Sequence, residues 1–147
     1  MKSYITFTRK SLFALFLGLL CALIICNELY IAGNSHKNAL TNADRLNYLK
    51  TAGYTVLCDE PAKKDVTLPQ KFSEIYNSYN TLQLSSGYDL SLYKGCEATI
   101  YSYEIDTPVG YNGECLANII VYNNRIIGGD VSSASLGGFV LPLKQSN

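Results

Sequence analysis

The most apolar part of the chain lies near its N-terminus. Residues 12–26, LFALFLGLLCALIIC, contain no charged or strongly polar side chain, and a basic segment with Lys2, Arg9 and Lys10 precedes them. After two polar residues the apolar pattern resumes as far as Ala32, which makes the run long enough for a helix to cross a bilayer. We therefore predict a transmembrane signal-anchor helix at residues 11–32.

The basic residues ahead of the span predict its orientation, because positive charge is retained on the cytoplasmic side. Residues 1–10 then form a cytoplasmic tail, and a polar tether at residues 33–41 leads to an extracytoplasmic domain at residues 42–144 of a single-pass protein of the cell membrane. Two alternatives stay open. A cleaved secretory signal has the same basic and apolar regions, although Tyr30 stands where cleavage requires a small residue. A lipoprotein needs a small residue before the modified cysteine, whereas Ile25 precedes Cys26.

Two amphipathic helices are predicted in the first half of the domain. The first is capped by Thr41 or Asn42, has Asp44 in its first turn and ends at Gly53. Its apolar stripe consists of Ala43, Leu46, Leu49 and Ala52. The second begins at Pro69, a residue favoured at the first helical position, and continues to about Leu84. Its apolar positions recur at helical spacing and are Phe72, Ile75, Tyr76, Tyr79 and Leu82.

Strand patterns dominate the second half. Runs rich in Thr, Tyr, Ile and Val predict strands at residues 96–105, 115–122 and 125–131, with a tight turn at Asn123 and Asn124 and a bulge at Gly128 and Gly129. Residues 138–143 add an edge strand, because Pro142 would disrupt a central one. Two shorter strands are predicted at residues 54–58 and 66–68, separated by a charged turn. Early helices and late strands favour an α+β two-layer domain, with two helices on one face of a mainly antiparallel sheet.

Composition and charge exclude one class of partner. Hydrophobic residues make up 48% of the chain and charged residues 16%, with a net charge of zero. The basic residues form no cluster along the sequence, so the electrostatic signature of nucleic-acid binding is missing. We therefore expect no nucleic-acid partner.

The segment NTLQLSSGYDLSLYKG, residues 80–95, is the strongest candidate for a ligand-binding loop, through Tyr88, Asp89 and Tyr93. A structural interpretation competes with it. Gly87 would end the helix in a left-handed conformation, Gly95 would turn the chain into the next strand, and Asp89 would cap the short turn LSLY. On that interpretation the segment connects a helix to the sheet and is not a ligand-binding site.

Tyrosine provides a second candidate surface, because the chain has 12 tyrosines and no tryptophan. Thr99, Tyr101, Tyr103 and Ile105 share one face of a predicted strand by their period of two. Tyr101 and Tyr103 could bind a glycan or a peptide, since tyrosine combines apolar area with a polar tip. The alternative is a half-buried sheet face beneath the helices.

The sequence gives little support for a catalytic site or a metal-binding site. The only histidine, His36, lies in the predicted tether, and no spacing of His, Cys and carboxylate residues is typical of a metal site. The GGD sequence ending at Asp130 is read as a hairpin end rather than a calcium ligand. Cys58, Cys96 and Cys115 are expected to be buried free thiols. Cys96 and Cys115 would start two paired strands and lie at opposite ends, so a bridge between them is not expected, while a disulfide between Cys58 and one of the other two stays open. We expect no catalytic residue, no metal and no cofactor.

Several short motifs, in order, resemble one bacterial family. FSEIYNSYNTLQ, GYDLSLYKG, IYSYEI and NIIVYNNRIIGGD follow an N-terminal apolar segment and are similar to the family called domain of unknown function 4830, over roughly residues 42–143. The resemblance implies an extracytoplasmic domain of Gram-positive, clostridial-type bacteria, and it implies no activity. We expect a membrane-anchored, non-enzymatic interaction module that contacts an unknown protein. A binding domain for a cell-wall glycan or small ligand is the alternative, followed by an envelope hydrolase.

Overall fold

The computed structural model describes residues 17–25, 38–107, 111, 113–135 and 137–143. The chain divides into two units, Met1–His36 and Lys37–Asn147. In the first unit, residues 17–25 are helical. No helix within the described residues is both long enough and apolar enough to cross a membrane. The remainder of the predicted span, residues 11–16 and 26–32, lies outside them.

The second unit is an α+β domain built on a five-stranded antiparallel sheet, in which the strands lie in chain order. The strands are β1 (Ala62–Thr67), β2 (Glu97–Ile105), β3 (Cys115–Tyr122), β4 (Arg125–Ser133) and β5 (Val140–Pro142). Two α-helices and a short 3-10 helix accompany them: α1 (Asn42–Thr51), α2 (Glu74–Ser85) and η1 (Leu90–Tyr93). The prediction of an α+β domain with a mainly antiparallel sheet is confirmed.

The predicted hairpin between β3 and β4 is confirmed in detail. Asn123 and Asn124 have φ values of 47° and 60°, the positive-φ pair of a type I′ turn. A bulge is present one residue before the predicted position, because Ile120 pairs with Gly128 and Val121 pairs with Ile126, so that β4 carries one extra residue.

The sheet buries apolar side chains on both faces. On the first face, α1 packs Tyr48 and Leu49 against a cluster that includes Tyr103, Ile105, Ala117, Ile119 and Val131. On the second face, α2 and η1 contribute Tyr79 and Leu90 to a cluster that includes Leu68, Ala98, Ile120 and Ile127. The predicted two-layer arrangement with both helices on one face is therefore wrong. Consecutive apolar residues such as Ile119 and Ile120 point to opposite faces of a strand, and both faces need cover.

Helix α1 begins where the sequence predicts, and its buried stripe coincides only in part with the predicted one: Leu49 is fully buried and Leu46 packs against the core, as expected. Thr41 is the N-cap, and its hydroxyl accepts from the Asp44 N–H at 3.1 Å while the Asp44 carboxylate accepts from the Thr41 N–H at 2.8 Å. Gly53, with φ of 91°, follows the helix as expected. The buried side chains are Arg45, Tyr48 and Leu49, whereas Ala43 is exposed.

Three local predictions fail near α2 and β1. Helix α2 begins at Glu74, after the N-cap Ser73, and not at Pro69. Residues 62–65, expected in a charged turn, belong to β1, and its exposed burial pattern explains why charge is tolerated there. Residues 54–58 make only one isolated bridge, between Val56 and Ile105, instead of a strand.

The capping box gives the first prediction. Replacing Thr41 with Ala removes the acceptor for the Asp44 N–H, and we expect a loss of about 1 kcal/mol in the free energy of unfolding. Thr41→Ser keeps the hydroxyl and should retain most of that stability. Urea unfolding of both variants measures the difference, and equal stabilities would show that the cap does not stabilise α1.

Candidate functional site

The segment at residues 80–95 has the geometry of a structural connection between α2 and β2. Gly87 and Gly95 have φ values of 79° and 77°, so each occupies the left-handed region that favours glycine. Asp89 is the N-cap of η1, and its Oδ1 accepts from the Ser91 N–H at 2.9 Å and from the Asn80 side-chain amide at 3.0 Å. These hydrogen bonds from Ser91 and Asn80 lower the pKa of Asp89 below its ordinary value. Oδ1 of this carboxylate is therefore held by hydrogen bonds within residues 80–95.

The two tyrosines of this loop pack against other side chains. Tyr88 is buried, and its hydroxyl lies 2.8 Å from the hydroxyl of Tyr48 on α1. Tyr93 is half-buried, and its ring centroid lies 5.8 Å from that of Tyr122. Tyr88 belongs to the cluster of the first face and Tyr93 to that of the second, so the loop does not present them as one surface.

Tyr101 and Tyr103 lie under α1, beside a buried arginine that is not among the residues predicted from the sequence. Arg45 is only 7% exposed, and its Nε donates to the Tyr103 hydroxyl at 2.8 Å. Its guanidinium carbon lies 3.8 Å from the centroid of the Tyr101 ring, a close cation–π contact. Tyr103 is fully buried. Burial raises the pKa of Tyr103, and the hydrogen bond from Arg45 opposes that rise.

The guanidinium of Arg45 has further neutral acceptors around it. Its Nη1 donates to the Ala39 carbonyl at 3.0 Å, and its Nη2 donates to the Asn42 side-chain oxygen at 3.4 Å. The Tyr103 hydroxyl donates to the same Asn42 oxygen at 2.7 Å. This cluster ties the start of α1 to the centre of β2. The five residues predicted as ligand contacts are therefore not brought together, and Tyr101 and Tyr103 do not form an open platform.

A polar row crosses the second face of the sheet. Ser102, Asn118 and Asp130 occupy matching register positions on β2, β3 and β4. The Ser102 hydroxyl donates to the Asn118 side-chain oxygen at 2.6 Å. The Asn118 amide donates to Asp130 Oδ1 at 2.8 Å and to the Ser132 hydroxyl at 3.0 Å. These bonds link three strands through side chains as well as through their backbones.

Asp130 is the buried charge of this row. Only 7% of it is exposed, and its Oδ2 accepts from the Tyr79 hydroxyl of α2 at 2.5 Å. Burial raises the pKa of Asp130, while the hydrogen bonds from Tyr79, Asn118 and Ser132 oppose the rise. Burial, together with the nearby carboxylate, also raises the pKa of Tyr79 far above its ordinary value. Asp130 lies inside β4, so its reading as a hairpin end is wrong.

The chemistry available to these clusters is limited by their own hydrogen bonds. The Asp130 oxygens and the Arg45 N–H groups are directed at protein partners rather than at an open cleft. Within the part of the chain that the structure describes, no group of three His, Cys, Asp or Glu side chains could hold a metal ion. Both clusters fasten a helix to the sheet, and neither has the geometry of a reaction centre.

The described cysteines are free thiols with different exposures. Cys115 is buried, Cys96 is half-buried and Cys58 is exposed, so the expectation of burial is wrong for Cys58. Cys115 pairs with Ile105 at one end of β2, whereas Cys96 precedes the other end, as predicted. Burial raises the pKa of the Cys115 thiol and lowers its reactivity.

Strand β1 is the one element of the sheet with a long exposed edge in the described structure. It pairs with β2 on one side only, and five of its six residues are exposed. The Leu57 N–H donates to the Glu104 carbonyl, so the even-numbered residues of β2 direct their backbone groups towards this side. Their register partners in β1 are also even-numbered, which leaves Lys63, Asp65 and Thr67 with outward-pointing N–H and C=O groups.

A shallow depression accompanies this edge. It has a volume of about 420 Å³ and is lined by Asp65, Val66, Thr67, Glu97, Ala98 and Thr99. The Thr99 hydroxyl donates to Asp65 Oδ1 at 2.7 Å, and Lys63 Nζ lies 3.8 Å from the same carboxylate oxygen. The depression therefore adjoins the outward-pointing backbone groups and has mainly polar walls.

Comparison with known proteins identifies one family. A family model described as Domain of unknown function (DUF4830) matches residues 48–131. The comparisons with curated proteins and with solved structures gave no match. The matched region runs from α1 to β4 and includes Tyr79, Asp130 and the whole of β1.

The Tyr79–Asp130 contact gives the second prediction. Tyr79→Phe removes a hydrogen bond to a buried carboxylate, and we expect a loss of about 1.5–3 kcal/mol in unfolding free energy at neutral pH. Because the native pKa of Asp130 is raised above its unfolded value, the native chain binds more protons between those values, and stability falls as pH rises through them. The variant raises this pKa further, so its deficit should grow from acidic to neutral pH.

Measuring the free energy of unfolding from acidic to neutral pH tests whether the deficit of the variant grows as expected. Tyr76→Phe is the matched control, because Tyr76 lies on the same helix and is exposed. A deficit for Tyr79→Phe that equals that of Tyr76→Phe, or that shrinks towards neutral pH, would contradict the assigned role.

Proposed function

The chain belongs to the DUF4830 family, and we propose that it is a membrane-anchored, extracytoplasmic module that binds another protein without catalysing a reaction. The binding surface in this proposal is the free edge of β1, which would accept an extended segment of the partner as an additional strand. The observation that carries the proposal is the set of outward-pointing backbone groups at Lys63, Asp65 and Thr67. Each group can form a hydrogen bond with any partner sequence, so the edge supplies affinity.

The anchoring part of the proposal is supported by sequence. A basic segment followed by residues 12–26, which have no charged side chain, is typical of an uncleaved signal-anchor.

The side chains of β1 favour a partner over self-association. Natural proteins place lysines and other charges on exposed edge strands to prevent pairing with a second copy. In β1, Lys63 and Asp65 point to one face and Lys64 to the other, and all three are exposed. A partner strand of complementary charge can match that pattern, whereas an antiparallel second copy paired about the middle of β1 would set like charges opposite each other, Lys64 to Lys64 or Asp65 to Asp65. The depression beside Asp65 and Thr67 offers space for one partner side chain.

The third prediction concerns the anchor. Full-length chain expressed in Gram-positive cells should remain in the membrane pellet after alkaline extraction, and external protease should digest the part beyond the span. A chain lacking residues 11–32 should lose membrane association. Recovery of the intact chain from the soluble fraction would contradict anchoring, and a protected domain would contradict the orientation.

The fourth prediction concerns the edge of β1. Thr67 is replaced by a photo-crosslinking residue in the full-length chain in cells. On irradiation we expect a covalent adduct between this chain and a partner protein. Lys63→Pro removes an outward N–H without removing a hydrogen bond to β2, and it should abolish the adduct while leaving the domain folded.

Lys63→Gln is the matched control, because it removes the same charge and keeps the N–H. The adduct should persist in this variant. Equal adduct yields in Lys63→Pro and Lys63→Gln would show that strand addition at β1 is not the mode of binding, and loss in both would assign the effect to the lysine charge.

A further inference from the structure

The chain enters the domain at one end of the sheet, which we call the tether end. This end is formed by the end of β1, the start of β2, the end of β3 and the start of β4. Asn38 makes a bridge with Arg125 of β4, and the Ala39 N–H donates to the Asn124 carbonyl at 2.9 Å. The first described residues of the domain are thus fixed beside the turn between β3 and β4.

Large apolar side chains are exposed near the tether end. Leu92 of η1 is 75% exposed, Ile75 in the first turn of α2 is 80% exposed, and Leu40, next to Ala39, is 66% exposed. Leu92 is tied to this end because its neighbour Tyr93 contacts Tyr122, the last residue of β3. The Tyr93 carbonyl also accepts from the Cys96 N–H, immediately before β2.

Aromatic and basic side chains continue the same surface. The Phe72 ring contacts the Tyr76 ring at 5.5 Å between centroids, and Lys94 Nζ lies 5.0 Å from the Phe72 centroid. Lys71, Lys94 and Arg125 are exposed, and exposed Glu74 and Glu97 oppose them. The net charge of this surface is small, so apolar contact would dominate its binding. Exposed leucine and isoleucine beside tyrosine and lysine are typical of a surface that lies at a membrane interface.

We infer that the tether end, through Leu92, Ile75, Tyr76 and Leu40, docks on the outer surface of the lipid bilayer. The inference rests on the proposed anchor. If the span ends at Ala32, five residues lie between it and Asn38. A segment of five residues reaches at most roughly 18 Å when extended. The tether end is then held beside the headgroups. A tethered contact acts at an effective concentration on the order of millimolar, so a weakly binding patch is occupied.

In this orientation Thr67 is the residue of β1 nearest the bilayer, and the strand extends from there away from the membrane. Its last residue, Thr67, pairs with Glu97 at the tether end, whereas Ala62 pairs with Ser102 further along β2. The outward-pointing backbone groups of β1 would remain open to a partner beside the membrane. Lipid docking and strand addition therefore use different surfaces of the same domain.

Tryptophan fluorescence tests the docking directly, because the chain has no tryptophan of its own. Leu92→Trp introduces a single reporter at the tether end. Leu57→Trp is the matched control, since Leu57 is 59% exposed and its N–H donates to the Glu104 carbonyl at the opposite end of β2. The two ends of this strand are roughly 27 Å apart. Each full-length variant is reconstituted in phosphatidylcholine vesicles that contain lipids brominated on their acyl chains.

We expect the Leu92→Trp chain to lose most of its emission to bromine quenching and to shift to shorter wavelength. The Leu57→Trp chain should keep the emission of an exposed tryptophan. Ile75→Trp is a second reporter and should behave like Leu92→Trp, which guards against a local folding defect in η1. Because the surface has little net charge, the result should persist without anionic lipid.

Vesicle flotation separates the two proposals. A chain that floats with the vesicles but shows no greater quenching for Leu92→Trp than for Leu57→Trp would overturn docking and leave the anchor intact. A chain that does not float would overturn both. A protein adduct formed by a photo-crosslinker at Leu92 in cells, combined with absent quenching in vesicles, would assign this surface to a protein.

Discussion

The domain depends on a sheet whose central strands are apolar on both faces. Ile119 and Ile120 are consecutive in β3 and belong to different hydrophobic clusters, as do Ile126 and Ile127 in β4. A sheet of this kind cannot leave either face in water, so one helix must cover each side. The long connection between β1 and β2 supplies α2 and η1 for the second face, while α1 precedes the sheet and covers the first. The placement of each helix follows from this requirement.

Each interface between a helix and the sheet also contains one buried charge that is satisfied by neutral groups. Arg45 is held by a tyrosine hydroxyl, a backbone carbonyl and an asparagine side chain, and Asp130 is held by a tyrosine hydroxyl and an asparagine amide. Burying a charge is costly, and neutral partners repay only part of that cost. We infer that these contacts fix where each helix lies on the sheet, because a displaced helix would break the hydrogen bond between Arg45 and Tyr103 or between Tyr79 and Asp130. Such a role explains why neither the Arg45 cluster nor the polar row with Asp130 opens into a cleft.

The sequence predicts the elements best where a local interaction decides the structure. The Thr41 cap, the Asn123–Asn124 turn and the short helix capped by Asp89 require only neighbouring residues, and all three are present. The sequence pattern fails where a distant partner decides. Lysine-rich β1 is a strand because β2 lies beside it. Arg45 is buried because Tyr101 and Tyr103 stand opposite, and no signal within α1 distinguishes this arginine from a solvated one. The tyrosine period in β2 is the available clue, since a buried Tyr103 hydroxyl needs a polar partner.

The order of the strands determines which surfaces remain for function. A meander in chain order leaves β1 and β5 as its two edges, and β5 is short and contains Pro142, which cannot donate a hydrogen bond. The other edge, β1, is longer, and its exposed charges oppose pairing with a second copy without removing its hydrogen-bonding groups. In the described part of the sheet, the longest run of unpaired backbone groups therefore lies at this edge. The strand addition that we propose uses this run, and the apolar residues at the tether end lie outside it.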